Sequence, residues 1–267
     1  MSDTRRIVLI SGAGRGIGAA AAREFGRRGC HLIVNYLSNG EAAAAVVKDI
    51  ESAGGTAQSV RADVCDAGQV GTLVDGVLAE HGRVDVLVCN ANTAAPPFGP
   101  FASLSWESFA AKLTGELAGV YFLTQRVLAA MRERRAGRIV YVSSTAADVI
   151  TGSIAHSTAT AALNTFSRQI AAEAARYGVA ANTVASGAAN TDATARFPDA
   201  IRQYFGERSV HGRLPEPEDV GRLIALVADD GFAGATGQVI RADDGFHLLA
   251  QQLDGPAAWF GGSAEQG

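Results

Sequence analysis

The amino-acid sequence predicts an α/β fold, in which a doubly wound parallel sheet of seven strands carries helices on both faces. Three observations support this prediction. Short apolar runs alternate with longer helix-like segments through most of the 267 residues. The first run, residues 5–10, opens into a glycine-rich loop and then at once into an Ala-rich helical pattern. The run at residues 84–89 is almost continuously apolar, as expected for a parallel strand that is covered on both sides.

The first strand, loop and helix form the unit around which the rest of the chain is arranged. After RRIVLI, the loop SGAGRGIG places glycine at positions 12, 14, 16 and 18. Such a loop lets the backbone approach a phosphate closely. The N-terminus of the following helix directs free N–H groups and the positive end of its dipole at the anion. The pattern predicts a nucleotide-binding loop, although a glycine-rich loop alone is also compatible with a tight turn.

The end of the second strand (HLIVNY, residues 31–36) indicates which dinucleotide is bound. Folds that prefer NAD usually place an acidic residue here to hold the ribose 2′-hydroxyl. Residues 35–39 of this chain read NYLSN and are uncharged, with Asn35 and Ser38 as candidate contacts. Arg15 in the glycine loop adds a cation that suits a 2′-phosphate. The combination favours NADP(H) over NAD(H), unless Arg15 merely points into solvent.

The remaining elements continue the alternation of strands and helices. Further strands are predicted at residues 58–62, 84–89, 138–143, 179–185 and 237–242, and further helices at 41–53, 67–81, 103–134 (in two pieces), 154–177 and 216–228. Gly54 and Gly55 close the first of these helices, and Pro215 and Pro217 open the last. Because crossovers between parallel strands are right-handed, this order gives a doubly wound sheet that binds ligands at the carboxyl ends of its strands.

Composition and charge exclude several classes of protein. Hydrophobic residues make up 48% of the chain and charged residues 19%, so it is neither disordered nor fibrous. The net charge of −4 argues against a nucleic-acid-binding protein. The sequence contains no run of about 18 apolar residues that would span a membrane, and its N-terminus leads directly into the first strand. We therefore expect a cytoplasmic protein with no signal peptide. The three cysteines and five histidines are not spaced as metal ligands, so buried thiols and no metal are expected.

Several segments, in the right order, resemble the short-chain dehydrogenase/reductase family. They are the loop Gly12-x-x-x-Gly16-x-Gly18, the turn CNAN at 89–92, the strand RIVYVSS at 138–144, and HGRLPEPEDVGRLIALVADD with TGQVIRADDG near the C-terminus. The resemblance covers residues 5–245. It implies a Rossmann-like fold, a nicotinamide dinucleotide cofactor and a homotetramer or homodimer. We expect one cofactor-binding and catalytic domain at 1–250, followed by a C-terminal extension at 251–267.

The resemblance also implies which residues contact the cofactor. In chain order these are Gly12, Arg15, Gly16, Ile17 and Gly18 in the loop, Asn35 and Ser38 at the second strand, Asp63 and Val64 beside the adenine, Asn90 and Ala91 after the fourth strand, and Thr191 near the nicotinamide amide.

The proton-transfer residues of the family are only partly present. The family uses a serine, a Tyr-x-x-x-Lys pair and an asparagine on the preceding helix, and the lysine ammonium lowers the pKa of the tyrosine. Ser144 matches the serine, whereas His156 stands at the tyrosine position and Thr160 at the lysine position. Counting back from Ser144 puts Glu116 at the asparagine position, and matching KLTG instead would put Lys112 there.

Three functions are compatible with the predicted catalytic residues Ser144, His156, Glu116 and Thr160. In the favoured one, an NADP(H)-dependent oxidoreductase acts on a carbonyl, enone or related small molecule. His156, with an unperturbed pKa near 6.5, donates the proton near neutrality, and Glu116 orients or charges it. Alternatively, Ser144, His156 and Glu116 form an acid–base set for a non-redox dehydratase, cyclase, isomerase or lyase. A third possibility is a catalytically silent nucleotide-binding protein.

The substrate site is expected where two irregular segments meet. Residues 187–212 lack a strong period apart from a helical stretch at 199–205, and we interpret them as a lid. Together with residues 96–101 they offer aromatic side chains, namely Phe98, Phe101, Phe197 and Tyr204. These indicate a bulky, weakly polar molecule, and a place in secondary metabolism would suit an unusual family member. Trp259 and Phe260 in the tail either cover this site or a neighbouring subunit, or belong to a frayed end.

Overall fold

The computed structural model describes residues 5–149, 152–232 and 234–250. Its strands are β1 (Ile7–Ile10), β2 (His31–Tyr36), β3 (Thr56–Arg61), β4 (Val86–Cys89), β5 (Gly137–Ser144), β6 (Val179–Ser186) and β7 (Val239–Ala242). Its α-helices are α1 (Gly16–Arg27), α2 (Gly40–Ser52), α3 (Ala67–His81), α4 (Trp106–Arg134), α5 (Ile154–Ala174), α6 (Asp199–Glu207), α7 (Pro217–Val227) and α8 (Phe246–Leu249). The predicted C-terminal extension, with Trp259 and Phe260, lies outside the described residues.

The seven strands form one parallel sheet in the order β3-β2-β1-β4-β5-β6-β7. This confirms the predicted doubly wound α/β fold. The chain first winds outward from β1 to β3 and then returns to the other side of β1 with β4. The connections that leave β1 and β4 therefore diverge to opposite faces of the sheet, and a crevice opens between them at the carboxyl ends of the strands.

Alternate strand residues pack into two hydrophobic layers, one on each face of the sheet. One layer joins Ile7 and Leu9 of β1 to Leu123 of α4. The other joins Val8 of β1 to Phe25 of α1 and shares its core with α2 and α7. Because both faces of β1 are covered, its four residues are all buried and apolar.

Helix α4 runs without a break over 29 residues, so the prediction of two pieces is wrong. Two glycines within it remain helical because other segments pack closely against them. A Cβ at Gly115 would lie 2.9 Å from Oγ1 of Thr93, and one at Gly119 would lie 3.0 Å from Cγ2 of Val64. The glycines thus permit close packing of the helix against the segments that follow β3 and β4.

Two expectations, one about the cysteines and one about membrane-spanning segments, can be compared with the structure. Cys30 and Cys89 are buried free thiols, and Cys65 is half-buried. Burial raises the pKa of Cys89 to about 12, which keeps this thiol protonated and unreactive. Across the described residues, the helices are all too short or too polar to cross a lipid bilayer.

Replacement of Gly76 by alanine is expected to stabilise the fold by about 0.5–1 kcal/mol, because glycine in an exposed helix interior is entropically unfavourable. A Cβ at this position in α3 would meet no atom within 4 Å. Gly82, at the end of the same helix, is the comparison site with the opposite expectation. Its φ of +71° favours glycine, so Gly82→Ala should destabilise the fold. Urea unfolding measures both changes, and a loss of stability in Gly76→Ala would contradict the described packing of α3.

Candidate active site

The loop between β1 and α1 lies at the crevice and is packed too closely for side chains at its key positions. Gly12 and Gly16 have φ of +64° and +54°, in the left-handed region that favours glycine. A Cβ at Gly12 would lie 2.9 Å from Cα of Ala91. A Cβ at Gly18 would lie 2.5 Å from the carbonyl oxygen of Gly12 and even closer to the Asn90 amide. These three predicted loop residues therefore have a steric reason to be glycine.

The turn after β4 holds the glycine loop in place. The Ser11 hydroxyl oxygen accepts hydrogen bonds from the backbone N–H groups of Asn90 (2.9 Å) and Ala91 (3.1 Å). In return, Nδ2 of Asn90 donates to the carbonyl oxygens of Ser11 (3.0 Å) and Gly12 (3.1 Å). The predicted contacts Asn90 and Ala91 thus form one hydrogen-bonded unit with the loop.

The start of α1 is open to an anion. Arg15, the residue before the helix, is exposed and makes no side-chain capping hydrogen bond. The first N–H groups of an α-helix have no partner within the helix, and they lie at the positive end of its dipole. Ile17, one residue into the helix, packs against the hydrophobic layer that contains α1. The predicted role of Ile17 is therefore confined to its backbone.

At the end of β2, Asn35 and Ser38 have different environments. Asn35 is buried, and its Nδ2 donates to the carbonyl oxygens of Val60 (3.3 Å) and Ala62 (3.1 Å). We therefore revise its expected role from cofactor contact to holding β2 against the end of β3. Ser38 is exposed, as a residue that contacts a ligand at this edge must be.

A second arginine, which sequence reasoning missed, lies beside this strand end. Nε of Arg61, the last residue of β3, donates to the carbonyl oxygen of Leu37 at 3.0 Å. The contact holds an exposed guanidinium group over the turn between β2 and α2. The available signal was a basic residue at the end of the strand that neighbours β2, but only the pairing of Arg61 with Tyr36 in the sheet brings it there.

The two residues expected beside the adenine ring are both engaged by the protein. Oδ1 of Asp63 accepts a hydrogen bond from the backbone N–H of Cys65 at 2.9 Å. The Val64 side chain is buried against Gly119 of α4. These contacts fix the backbone at the end of β3, so any contact that Val64 makes with an adenine ring runs through its backbone.

Thr191 lies directly across from the glycine loop. Its Cγ2 is 3.7 Å from the position that a Cβ on Gly16 would occupy. Its backbone N–H donates to Oγ1 of Thr194 at 3.0 Å, which ties it into the short 3-10 turn at the start of the predicted lid. Two parts of the predicted nucleotide site that are 175 positions apart in the sequence thus meet in the fold.

Ser144 ends β5 at the same carboxyl edge. Its hydroxyl oxygen accepts a hydrogen bond from the backbone N–H of Ala146 at 3.1 Å, which leaves its own O–H free to donate. The neighbouring Ser143 donates to the carbonyl oxygen of Thr160 on α5 at 3.5 Å. The strand end that carries Ser144 therefore packs against the turn of α5 that begins at His156.

His156 is held in the neutral form. Burial, and to a smaller extent the positive charge of Lys112, lower the pKa of His156 to about 4. Its buried Nδ1 has no hydrogen-bond partner among the described residues. The expectation that His156 donates a proton near neutrality is therefore wrong for this structure, because an imidazole with this pKa is almost fully unprotonated at pH 7.

Thr160 has a structural role. It is buried, and its hydroxyl donates within α5 to the carbonyl oxygens of His156 (2.9 Å) and Ser157 (3.2 Å). The single hydroxyl proton is occupied by the helix backbone. The predicted catalytic role of Thr160 is corrected accordingly.

Lys112 and Glu116 form a buried ion pair one turn apart on α4. Nζ of Lys112 lies 2.5 Å from Oε2 of Glu116, and the two residues are 1% and 8% exposed. Glu116 was expected to orient or charge His156, but its carboxylate is instead paired with Lys112. Lys112 and Glu116, the two candidates for the asparagine position, are thus paired with each other. Of these two, the positive charge of Lys112 contributes to the lowered pKa of His156.

Two of the four aromatic residues predicted to line the substrate site are in contact. The rings of Phe98 and Phe197 meet edge to face with centroids 6.0 Å apart. This contact joins the segment after β4 to the predicted lid. Tyr204 packs instead against Phe205 and Phe246, and Phe101 is largely exposed.

Taken together, these residues fit a nicotinamide dinucleotide. The glycine loop excludes side chains where a pyrophosphate would approach, and the uncapped start of α1 offers N–H donors. Arg15 and Arg61 lie on the segments before α1 and at the end of β3, whereas Ser144 and His156 lie at the end of β5 and on α5. The fold and the site define the class of protein: a dinucleotide-binding α/β protein with polar side chains at the carboxyl ends of its strands.

Comparison with known proteins then gives the family. Residues 12–247 match the family model described as enoyl-(acyl carrier protein) reductase. The chain belongs to the short-chain dehydrogenase/reductase family.

Individual relatives match almost from end to end. A cis-4-hydroxycyclohexanecarboxylate dehydrogenase from Sinomonas cyclohexanicum is 34% identical over 90% of this chain and 96% of its own. A 3-oxoacyl-[acyl-carrier-protein] reductase from Synechocystis sp. is 34% identical over 92% and 98%. A versicolorin reductase from Emericella nidulans is 32% identical over 90% and 95%. All three relatives are named as dehydrogenases or reductases.

Proposed function

We propose that the protein is an NADP(H)-dependent oxidoreductase that interconverts an alcohol and a carbonyl group in a small molecule. The observation that carries this proposal is the glycine loop at the crevice, where Gly12 and Gly18 leave no room for a side chain. The names of the relatives support the reaction class. Ser144 and His156 support the same reaction, because they provide a hydroxyl donor and an imidazole at the adjoining strand end.

The chain's own residues handle the proton. A bound nicotinamide would exchange a hydride with the substrate carbon. In alcohol oxidation, the neutral imidazole of His156 accepts the hydroxyl proton, and the Ser144 hydroxyl donates a hydrogen bond to the substrate oxygen. In carbonyl reduction the same imidazole must first be protonated, which its lowered pKa makes rare at neutral pH. The resting protonation state of the site is therefore the one needed for alcohol oxidation.

The preference for NADP(H) is supported by charge at the adenosine end. Residues 35–39 carry no carboxylate that could hold a ribose 2′-hydroxyl, and the Asn35 amide is engaged with β3. Two exposed guanidinium groups, on Arg15 and Arg61, lie on the segments that flank this strand end. A 2′-phosphate would gain charge-assisted hydrogen bonds from them that a 2′-hydroxyl would not.

Replacement of Arg15 or Arg61 by glutamine is expected to raise the Kd for NADPH by about tenfold each, and to change the Kd for NADH by less than about twofold. Arg126→Gln is the matched control, because it removes one exposed positive charge from the outer part of α4, where Arg126 pairs with Asp75. Fluorescence titration of the reduced cofactors measures all four proteins. Equal losses for NADPH and NADH would contradict a 2′-phosphate contact.

Turnover assays separate this proposal from the other possible functions. A panel of bulky secondary alcohols is incubated with NADP⁺, and the absorbance of the reduced cofactor and the substrate are followed together. We choose bulky, weakly polar alcohols because two of the predicted substrate-site residues, Phe98 and Phe197, are aromatic and in contact. Production of NADPH in step with substrate loss supports the proposal. Substrate loss at constant absorbance of the reduced cofactor would indicate a non-redox enzyme. Cofactor binding without loss of any substrate would indicate a catalytically silent protein.

A further inference from the structure

A buried lysine in the active site is fully occupied by the protein. Nζ of Lys112 donates to Oδ1 of Asn92 (2.9 Å), to the carbonyl oxygen of Ala94 (2.9 Å) and to Glu116. An ammonium group has three N–H donors, so each has a protein acceptor. Lysine is almost never fully buried unless its charge is compensated. With no donor left for a substrate, Lys112 is a positioning residue and not a catalytic one.

The three acceptors show what Lys112 holds in place. Asn92 and Ala94 belong to the irregular segment 90–94, which follows β4, while Glu116 lies on α4. The first two residues of this segment, Asn90 and Ala91, are the ones that bind Ser11 of the glycine loop. Segment 90–94 is thus hydrogen-bonded at one end to the glycine loop and at the other to Lys112 of α4.

The charge of the same ammonium also lowers the pKa of His156, as the second cause after burial. Lys112 is the charged group whose field acts on His156 from the neighbouring helix α4, and Glu116, on the same helix, compensates it. On the other elements packed around the imidazole, Ser144 of β5 and Thr160 of α5 are uncharged. The nearest acidic residue after β5, Asp148, pairs with Arg241.

We propose that the Lys112–Glu116 pair is a positioning unit, which fixes segment 90–94 against α4 and so holds the turn that binds the glycine loop. The proposal rests on the proposed function, since it concerns the cofactor side of that site. It extends that function by assigning the buried ion pair to the support of the glycine loop.

The test compares Lys112→Met with the double variant Lys112→Met/Glu116→Leu. The single variant leaves a buried, unpaired carboxylate, which can destabilise the fold for reasons unrelated to the proposal. The double variant removes both charges and fills the space with apolar side chains, a change that proteins often tolerate. The chain contains one other lysine, Lys48, which is exposed on α2, so Lys48→Met is the matched control.

Three readouts are measured on each protein: thermal unfolding, hydrogen exchange of the amides of residues 91–94, and the NMR titration of the His156 ring. In the double variant we expect a melting temperature close to that of the unmodified protein. We also expect exchange at 91–94 to be about tenfold faster. Because burial is the larger cause of the lowered pKa of His156 and Lys112 the smaller, the midpoint of the His156 titration should be only modestly higher. Lys48→Met should change none of them.

The proposal is overturned if the double variant keeps the exchange rates of the unmodified protein at 91–94, because the ion pair then only fills space. Titration of NADPH into the same samples keeps the two proposals apart. If the unmodified protein does not bind NADPH, the proposed function fails, while hydrogen exchange still decides the role of Lys112. If NADPH binds and the double variant loses about tenfold in affinity, both proposals are supported.

Discussion

Replacement of His156 by glutamine is expected to reduce the rate of alcohol oxidation by about 10²- to 10⁴-fold, the usual contribution of general acid–base catalysis. Glutamine retains a polar end that can form hydrogen bonds, but it cannot take up a proton at working pH. His156 lies at the end of the crevice away from Arg15 and Arg61, so the Kd for NADPH should stay within about threefold of the unmodified value. Steady-state kinetics and cofactor titration together measure both quantities.

The pH dependence makes this prediction sharper. The base must be unprotonated to accept the proton, so kcat/KM for alcohol oxidation should rise as pH increases to about 4 and then stay level through neutral pH. For carbonyl reduction the acid form is required, so kcat/KM should fall about tenfold per pH unit above that value. The residual activity of the His156→Gln variant should show neither of these pH dependences.

Two outcomes would contradict the assignment of His156. If His156→Gln keeps more than about a tenth of the activity, another group moves the proton. If the oxidation rate instead rises through pH 6–7, the imidazole titrates near its unperturbed pKa, and the field of Lys112 and the burial do not act on it as described. Ser144→Ala, measured in parallel, tests the hydrogen bond to the substrate oxygen and should leave the pH midpoint unchanged.

Replacement of Gly18 by alanine is expected to weaken NADPH binding by about 100-fold or more and to destabilise the fold by about 1–3 kcal/mol, the usual cost of overpacking. The added Cβ would lie 2.5 Å from the carbonyl oxygen of Gly12 and closer still to Nδ2 of Asn90. The Asn90 amide would have to leave its two acceptors in the loop, on Ser11 and Gly12. The loop and the turn after β4 would then separate.

Gly14→Ala is the matched control for this change. Gly14 lies in the same loop, but a Cβ there would meet its nearest atom, the backbone nitrogen of Ala43 in α2, at an ordinary 3.5 Å. We expect its affinity for NADPH to be within about threefold of the unmodified protein. Isothermal titration and thermal unfolding test both variants. Tight NADPH binding by Gly18→Ala would show that the loop does not hold the cofactor in the way that the packing requires.

Local signals were sufficient for the architecture and for much of the site. Apolar runs and helical periods are properties of neighbouring residues, and they predicted the seven strands and their doubly wound order. The break at SGAGRGIG predicted the loop, and the strand RIVYVSS predicted where Ser144 lies. The same local rules placed an extra break in α4, because they could not take into account the segments that pack against its two glycines.

What a side chain does once it reaches the site depends on partners that are distant in the sequence. Asn35 and Thr160 were expected to face ligands, but backbone carbonyl groups occupy them. Arg61 reaches the end of β2 only because β3 pairs with it. The sequence by itself determined the fold, the glycine loop and the presence of an imidazole at position 156. The tertiary structure decided that Lys112 is buried against the segment that follows β4, because charge, burial and hydrogen bonding act through space between segments that no local pattern connects.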